Sequence, residues 1–105
     1  MAVDLSQSEW DEQLAKDSNA VVLDVRTEEE VEEGHIPNMI HIDIRQGQEF
    51  LDAVEKLDAT KNYYIYCRSG ARSAQACTLM NQMGFSTTYN LIGGIMNYDG
   101  PVETP

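Results

Sequence analysis

Tyr63-Tyr64-Ile65-Tyr66 runs without a polar break into Cys67-Arg68-Ser69-Gly70-Ala71-Arg72-Ser73, and from Ala74 to Met83 the pattern turns helical. A strand that gives way to a helix within one short turn constrains the fold to an α/β arrangement. The same turn constrains the chemistry. Backbone N–H groups at a helix start point at one spot, and the helix dipole adds partial positive charge there. A Cys at that spot should ionise near neutral pH, because the field that favours an anion favours its thiolate. Gly70 lets the turn adopt backbone angles that a Cβ would forbid. The competing reading is a buried Cys followed by an ordinary exposed loop. It leaves unexplained why a Cys, a Gly, two Arg and two Ser share one turn.

The rest of the chain alternates in the same way. Val3 to Leu5 suits a short first strand. Ser6 and Glu9 form a capping-box pattern, and Leu5 and Trp10 are spaced for a hydrophobic staple. The helix so begun should run to about Asp17, with Trp10 as a core anchor. Ala20-Val21-Val22-Leu23 is an apolar run of the kind a buried parallel strand requires. It ends at Asp24-Val25-Arg26, where ligands gather in open parallel sheets. A salt bridge or loop brace is the favoured role for Asp24 and Arg26, rather than direct catalysis.

Thr27 and Glu30 repeat the capping box, and Gly34 is placed to end that helix at the C′ position. Glu32 and Glu33 sit against the dipole at its end and read as a solvated acidic face, with a partner surface as the alternative. His35 and His41 are expected to be structural: the first as a hydrogen-bonded loop residue, the second in a strand between Ile40 and Ile42. Gln48 to Leu57 places Phe50, Leu51, Val54 and Leu57 on one helical face. The three tyrosines before Cys67 need hydroxyl partners if they are buried. After the turn, Ala76, Leu79, Met80 and Met83 define an apolar face with Cys77 beside it. Cys77 could form a disulfide with Cys67 but reads better as a packing residue. Gly84 should end this helix, Thr88 to Leu91 forms a last strand, Gly93-Gly94 permits close backbone approach, and Ile95 to Tyr98 is a short helix.

Charge narrows the partners. Asp and Glu outnumber Lys and Arg by 18 to 7, for a formal net charge of −11. This argues against general binding of nucleic acid or anionic membrane. Two of the seven basic residues lie in the Cys67 turn, so the positive spot suits a small anion. No secretory signal or bilayer-spanning run is evident. Two Cys and two His propose neither a disulfide framework nor a metal site. The expectation is one soluble cytoplasmic domain over residues 1–105, with reduced thiols and neither metal nor cofactor.

Four residues separate Cys67 from Arg72. Here the chain resembles the rhodanese family, whose sulfurtransferases carry a six-residue Cys-x4-Arg-like loop; related phosphatases and arsenate reductases carry Cys-x5-Arg. Leu23-Asp24-Val25-Arg26, Glu33-Gly34-His35-Ile36-Pro37 and Gly93-Gly94-Ile95 resemble the family's other signatures in the right order. A Trp common in the family near Tyr98 is replaced here, with the aromatic role kept. The resemblance implies a central parallel five-stranded sheet flanked by helices on both faces. It also implies sulfane-sulfur transfer through a Cys67 persulfide, from an anionic donor such as thiosulfate to cyanide or a thiol. Residues Arg68, Ser69, Gly70, Ala71, Arg72 and Ser73 would bind donor and persulfide, with Asp24 and Arg26 in support. The residues leave open which Arg faces the site. Two other readings stand beside this one: a persulfide carrier or binding module for a partner protein, and a Cys-dependent phosphatase or arsenate reductase.

Overall fold

The computed structural model describes residues 2–105. In chain order the elements are β1 (Ala2–Leu5), α1 (Gln7–Lys16), β2 (Ala20–Asp24), α2 (Glu28–Glu33), β3 (Met39–His41), α3 (Gln48–Glu55), β4 (Asn62–Tyr66), α4 (Ala71–Gln82) and β5 (Thr88–Leu91). Short 3-10 turns span Ile44–Gln46 and Ile95–Asn97. The strands form one sheet in the order β1-β5-β4-β2-β3, and every pairing is parallel. Strand β4 is the middle strand, and Cys67 follows its last residue.

Because strand side chains alternate between faces, β4 divides the core in two. Tyr63, Ile65 and Cys67 join Leu23, Val25, Phe50, Val54, Ala76, Cys77 and Met80, which places α3 and α4 on one face. Tyr64 and Tyr66 join Leu5, Trp10, Ile36 and Leu91, which places α1 on the other. Helices therefore cover both faces. Both capping boxes form: Ser6 with Glu9, and Thr27 with Glu30. Trp10 is fully buried and meets Tyr64 edge-on at 5.5 Å between ring centroids. Gly34 sits at the C-cap itself, one position before the expected C′. Glu32 and Glu33 are exposed, as a solvated face requires.

Helix α4 starts at Ala71, three residues before the apolar pattern shows it. Gly70, at φ 103°, caps it, and Ala74 N–H bonds Gly70 O at 3.1 Å. The first turn is made of Ala71, Arg72 and Ser73, whose mixed polarity hides the helical period. The start matters, because it brings the helix N-terminus up against Cys67.

The tyrosine hydroxyls of β4 all find partners. Tyr63 donates to Asp58 O at 2.8 Å, Tyr64 to Asp17 Oδ2 at 2.8 Å and Tyr66 to Asp24 Oδ2 at 2.7 Å. Tyr66 also accepts the Ile36 N–H at 3.0 Å, so one fully buried hydroxyl ties β4 to β2 and to the segment after α2. Tyr66→Phe would leave a buried N–H and a carboxylate oxygen each one partner short. The expected cost is about 1–3 kcal/mol of folding stability, measured as a lower urea midpoint with an unchanged denaturant slope.

Candidate functional site

Cys67 is 1% exposed and sits where the sheet's middle strand meets α4. The Gly70 N–H donates to Cys67 Sγ at 3.1 Å, and the Ser73 hydroxyl lies 3.4 Å from it. Burial pushes the thiol up, but the Ser73 hydroxyl and the N–H groups of Ser73, Gly70 and Ser69 outweigh it and hold the thiol below its ordinary value. The turn therefore gathers Cys67, Ser69, Gly70 and Ser73 on one sulfur. Ala71 is the exposed first residue of α4. Cys77 lies in the core, where burial pushes its thiol up to about 11. It packs in the core cluster with Ala76 and Met80, where burial disfavours its thiolate.

The carbonyls of the turn point the other way and are tied down. Ile95 N–H bonds Cys67 O at 3.0 Å and Met96 N–H bonds Arg68 O at 3.0 Å. This contact requires glycine at position 94, where any Cβ would collide with the carbonyls of Arg68 and Cys67. The Gly93-Gly94 pair thus lets one backbone lie against another, as its sequence suggested.

The two arginines of the turn have different surroundings. Arg72 donates from Nη1 to Glu30 Oε1 at 2.7 Å and from Nη2 to Glu30 Oε2 at 2.9 Å, a two-pronged ion pair that occupies its fork. Arg68 is exposed and has no ion pair among the described residues. It borders a cleft with Arg26, Glu30, Glu33, Ile95 and Met96.

Asp24 and Arg26 form an ion pair at the end of β2. Both are buried, and Arg26 Nη2 bonds Asp24 Oδ2 at 2.7 Å and Gly34 O at 2.6 Å, while Nη1 bonds Glu30 O at 3.2 Å. Their side-chain hydrogen bonds go to each other, to Tyr66 and to the α2 segment. His41 Nε2 lies 2.6 Å from Arg26 O, and His35 Nδ1 lies 3.4 Å from Val31 O, so both histidines serve local structure. Among the described residues no three of His, Cys, Asp and Glu gather as a metal site would need, and no helix is long and apolar enough to cross a membrane.

Two residues of this constellation escaped the sequence reading. Glu30 carries a second duty beyond its capping box, and nothing in the local pattern announces an Arg 42 positions away. Asn90 contacts both Ser73 and Gly70. Its signal was an Asn inside a short buried strand, where that residue is unfavourable without a specific partner.

The chain matches the family model described as Rhodanese-like domain over residues 6–100. It is 38% identical to the Bacillus subtilis protein named "Putative sulfurtransferase YtwF", covering 95% of this chain and 93% of that one. It is 36% identical to the tRNA uridine(34) hydroxylase of Chlamydia abortus, over 95% of this chain but only 32% of that longer protein. A crystal structure of a rhodanese-like domain protein from Staphylococcus aureus superposes with a TM-score of 0.83 at 27% identity, covering 98% of both chains.

The Glu30–Arg72 pair has a pH signature. The Arg72 guanidinium holds the Glu30 carboxylate far below its ordinary value, at about 2. A carboxylate lowered on folding contributes stability that is complete above its unfolded pKa and disappears as pH falls through its folded one. The wild-type urea midpoint should therefore fall between about pH 4.5 and pH 2. Glu30→Gln should be less stable at neutral pH and should lose less over that window. Parallel curves for the two proteins would refute the linkage.

Proposed function

This chain belongs to the rhodanese-like domain family, and from that premise we propose that its role in sulfur transfer runs through a persulfide on Cys67. The observation that carries the reading is the buried Sγ on which Ser73 and the backbone donors of the turn converge. Cys67 thiolate attacks the outer sulfur of an anionic donor such as thiosulfate. A sulfur–sulfur bond forms to Cys67 as the donor's own breaks, and sulfite leaves with the electron pair. A thiophilic acceptor, cyanide or a thiolate, then attacks the outer sulfur and returns Cys67 as thiolate. Splitting the transfer this way replaces one difficult displacement by two easier ones. The N–H groups across residues 68–73 stabilise the negative outer sulfur, because fixed donors in a water-poor site need no reorganisation. Arg68 receives the anionic donor; Arg72, held by Glu30, stiffens the first turn of α4.

The four-residue interval between Cys67 and Arg72 favours this chemistry over phosphate ester hydrolysis, since the short loop converges close to one outer sulfur. A second reading, a persulfide-carrying module that serves a partner protein, draws support from the Chlamydia relative, of which this chain spans about a third. No cofactor or metal enters either scheme. Weak turnover with thiosulfate but fast exchange with a protein acceptor would favour the module.

Intact-protein mass spectrometry after thiosulfate treatment, with peptide mapping, tests the assignment. One added sulfur on Cys67, removed by cyanide, is the expected result. Hydrolysis of an aryl phosphate without persulfide formation would overturn it. Cys67→Ser should abolish transfer while remaining folded, and Cys77→Ser should keep most activity. Arg68→Ala should lower kcat/KM for thiosulfate by roughly one to two orders of magnitude, as loss of a charge-assisted hydrogen bond of about 1.5–3 kcal/mol implies. Arg72→Ala should lower thermal stability as well as activity, and unchanged kinetics in Arg68→Ala would remove its assigned role.

A further inference from the structure

The Ser73 hydroxyl has one hydrogen and two acceptors. Its Oγ lies 3.4 Å from Cys67 Sγ and in a very short hydrogen bond to Asn90 Oδ1. An amide oxygen can only accept, so the hydrogen of this contact belongs to the Ser73 hydroxyl. The amide of Asn90 has no freedom to turn round. Its Nδ2 donates to Asp4 Oδ1 at 3.1 Å and to Gly70 O at 3.3 Å, both pure acceptors, so Oδ1 must face Ser73. Ser73 and Asn90 are both buried, so water does not supply a substitute partner cheaply. Asn90 is carried by β5, paired in register with Asp4 of β1, so the sheet itself holds this side chain against the turn.

We propose that Asn90 is a positioning residue that competes with Cys67 for the hydrogen of Ser73, so that this hydroxyl has two settings. While Cys67 carries its proton, Ser73 donates to Asn90 and can accept from the thiol. When Cys67 is a thiolate, the hydroxyl turns to Sγ and Asn90 Oδ1 gives up its partner. Asn90 thereby limits how far the donors of the turn can acidify the thiol. The consequence is useful for a sulfur nucleophile, because a thiolate's intrinsic reactivity falls as its conjugate thiol becomes more acidic. This inference deepens the sulfur-transfer reading and rests on Cys67 being its nucleophile, but it concerns the free thiol and needs no donor to test.

The experiment follows the rate of Cys67 alkylation by iodoacetamide against pH, with the modified residue located by peptide mapping. Four proteins are compared: wild type, Ser73→Ala, Asn90→Leu and the double variant. Arg72, whose charge interacts with Cys67, its neighbours Glu30 and Asp43, and Asp4 behind Asn90 remain in all four. Gly70 O keeps its helical partner Ala74 when Asn90 is lost. Ser73→Ala should raise the midpoint. Asn90→Leu should lower it, giving up to roughly tenfold more thiolate at a pH below the wild-type midpoint. In the Ser73→Ala background, Asn90→Leu should have no further effect. An Asn90→Leu shift of equal size in both backgrounds, or no shift in either, would overturn the proposal. Should the Asn90 variants fail to fold, nitrogen NMR of the wild-type Asn90 side-chain amide decides. Its resonance should move with the Cys67 midpoint, and a resonance indifferent to that titration would refute the coupling. Failure of sulfur transfer with this titration pattern intact would fault the proposed reaction and leave the role of Asn90 standing.

Discussion

Backbone N–H groups can aim at Cys67 only because the carbonyls of the same turn are held elsewhere. Cys67 O and Arg68 O bond the N–H groups of Ile95 and Met96, and the approach is possible because Gly94 offers no side chain. A turn left with those carbonyls free could rotate its peptides and scatter its donors. The geometry around the sulfur is therefore secured by N–H groups 28 residues downstream of the carbonyls they bond, at the start of the last 3-10 turn. This explains why the chain needs β5 next to β4: the pairing delivers the Gly93-Gly94 segment to the side of the turn that lacks donors.

Behind the turn, a buried ionic network sets where the strands end. Asp24 is fully buried and would be costly if unpaired. Arg26 and Tyr66 satisfy it, and the same Arg26 reaches the carbonyls of Glu30 and Gly34. One guanidinium thus couples the end of β2 to the middle and the C-cap of α2. Helix α2 in turn presents Glu30 to Arg72 at the start of α4. Support passes from the sheet, through a short acidic helix, to the turn that carries Cys67. The strong net negative charge does not abolish the local positive field, because fixed peptide dipoles act at contact distance while the surface carboxylates are hydrated and screened.

Much of the architecture was legible in the sequence because it is written in short-range spacing. Ser6 with Glu9 and Thr27 with Glu30 are three residues apart, and the structure forms both boxes. The apolar runs at Ala20 to Leu23 and Tyr63 to Tyr66 became central parallel strands. The start of α4 was missed by three residues, since a helix whose first turn lines a site does not show an apolar period there. The tyrosines were recognisable as needing partners, but Asp17, Asp24 and Asp58 could not be matched to them without the fold.

By itself, the sequence determined the kind of chain this is: alternating strands and helices, a Cys at a strand-to-helix turn, glycines where backbone must approach backbone, and an acidic surface around a small basic spot. Each of these is a local property, set by residue type and by neighbours within one or two turns. Tertiary structure decided the assignments of individual side chains. It bound Arg72 to Glu30, 42 positions away, and left Arg68 exposed. It set Asn90 between Ser73 and Asp4, the latter 86 positions away, and buried Cys77 in the core. The reason is physical. Guanidinium, amide and hydroxyl groups bind whatever complementary atom the packed sheet brings within about 3 Å, and spacing along the chain holds no record of that distance.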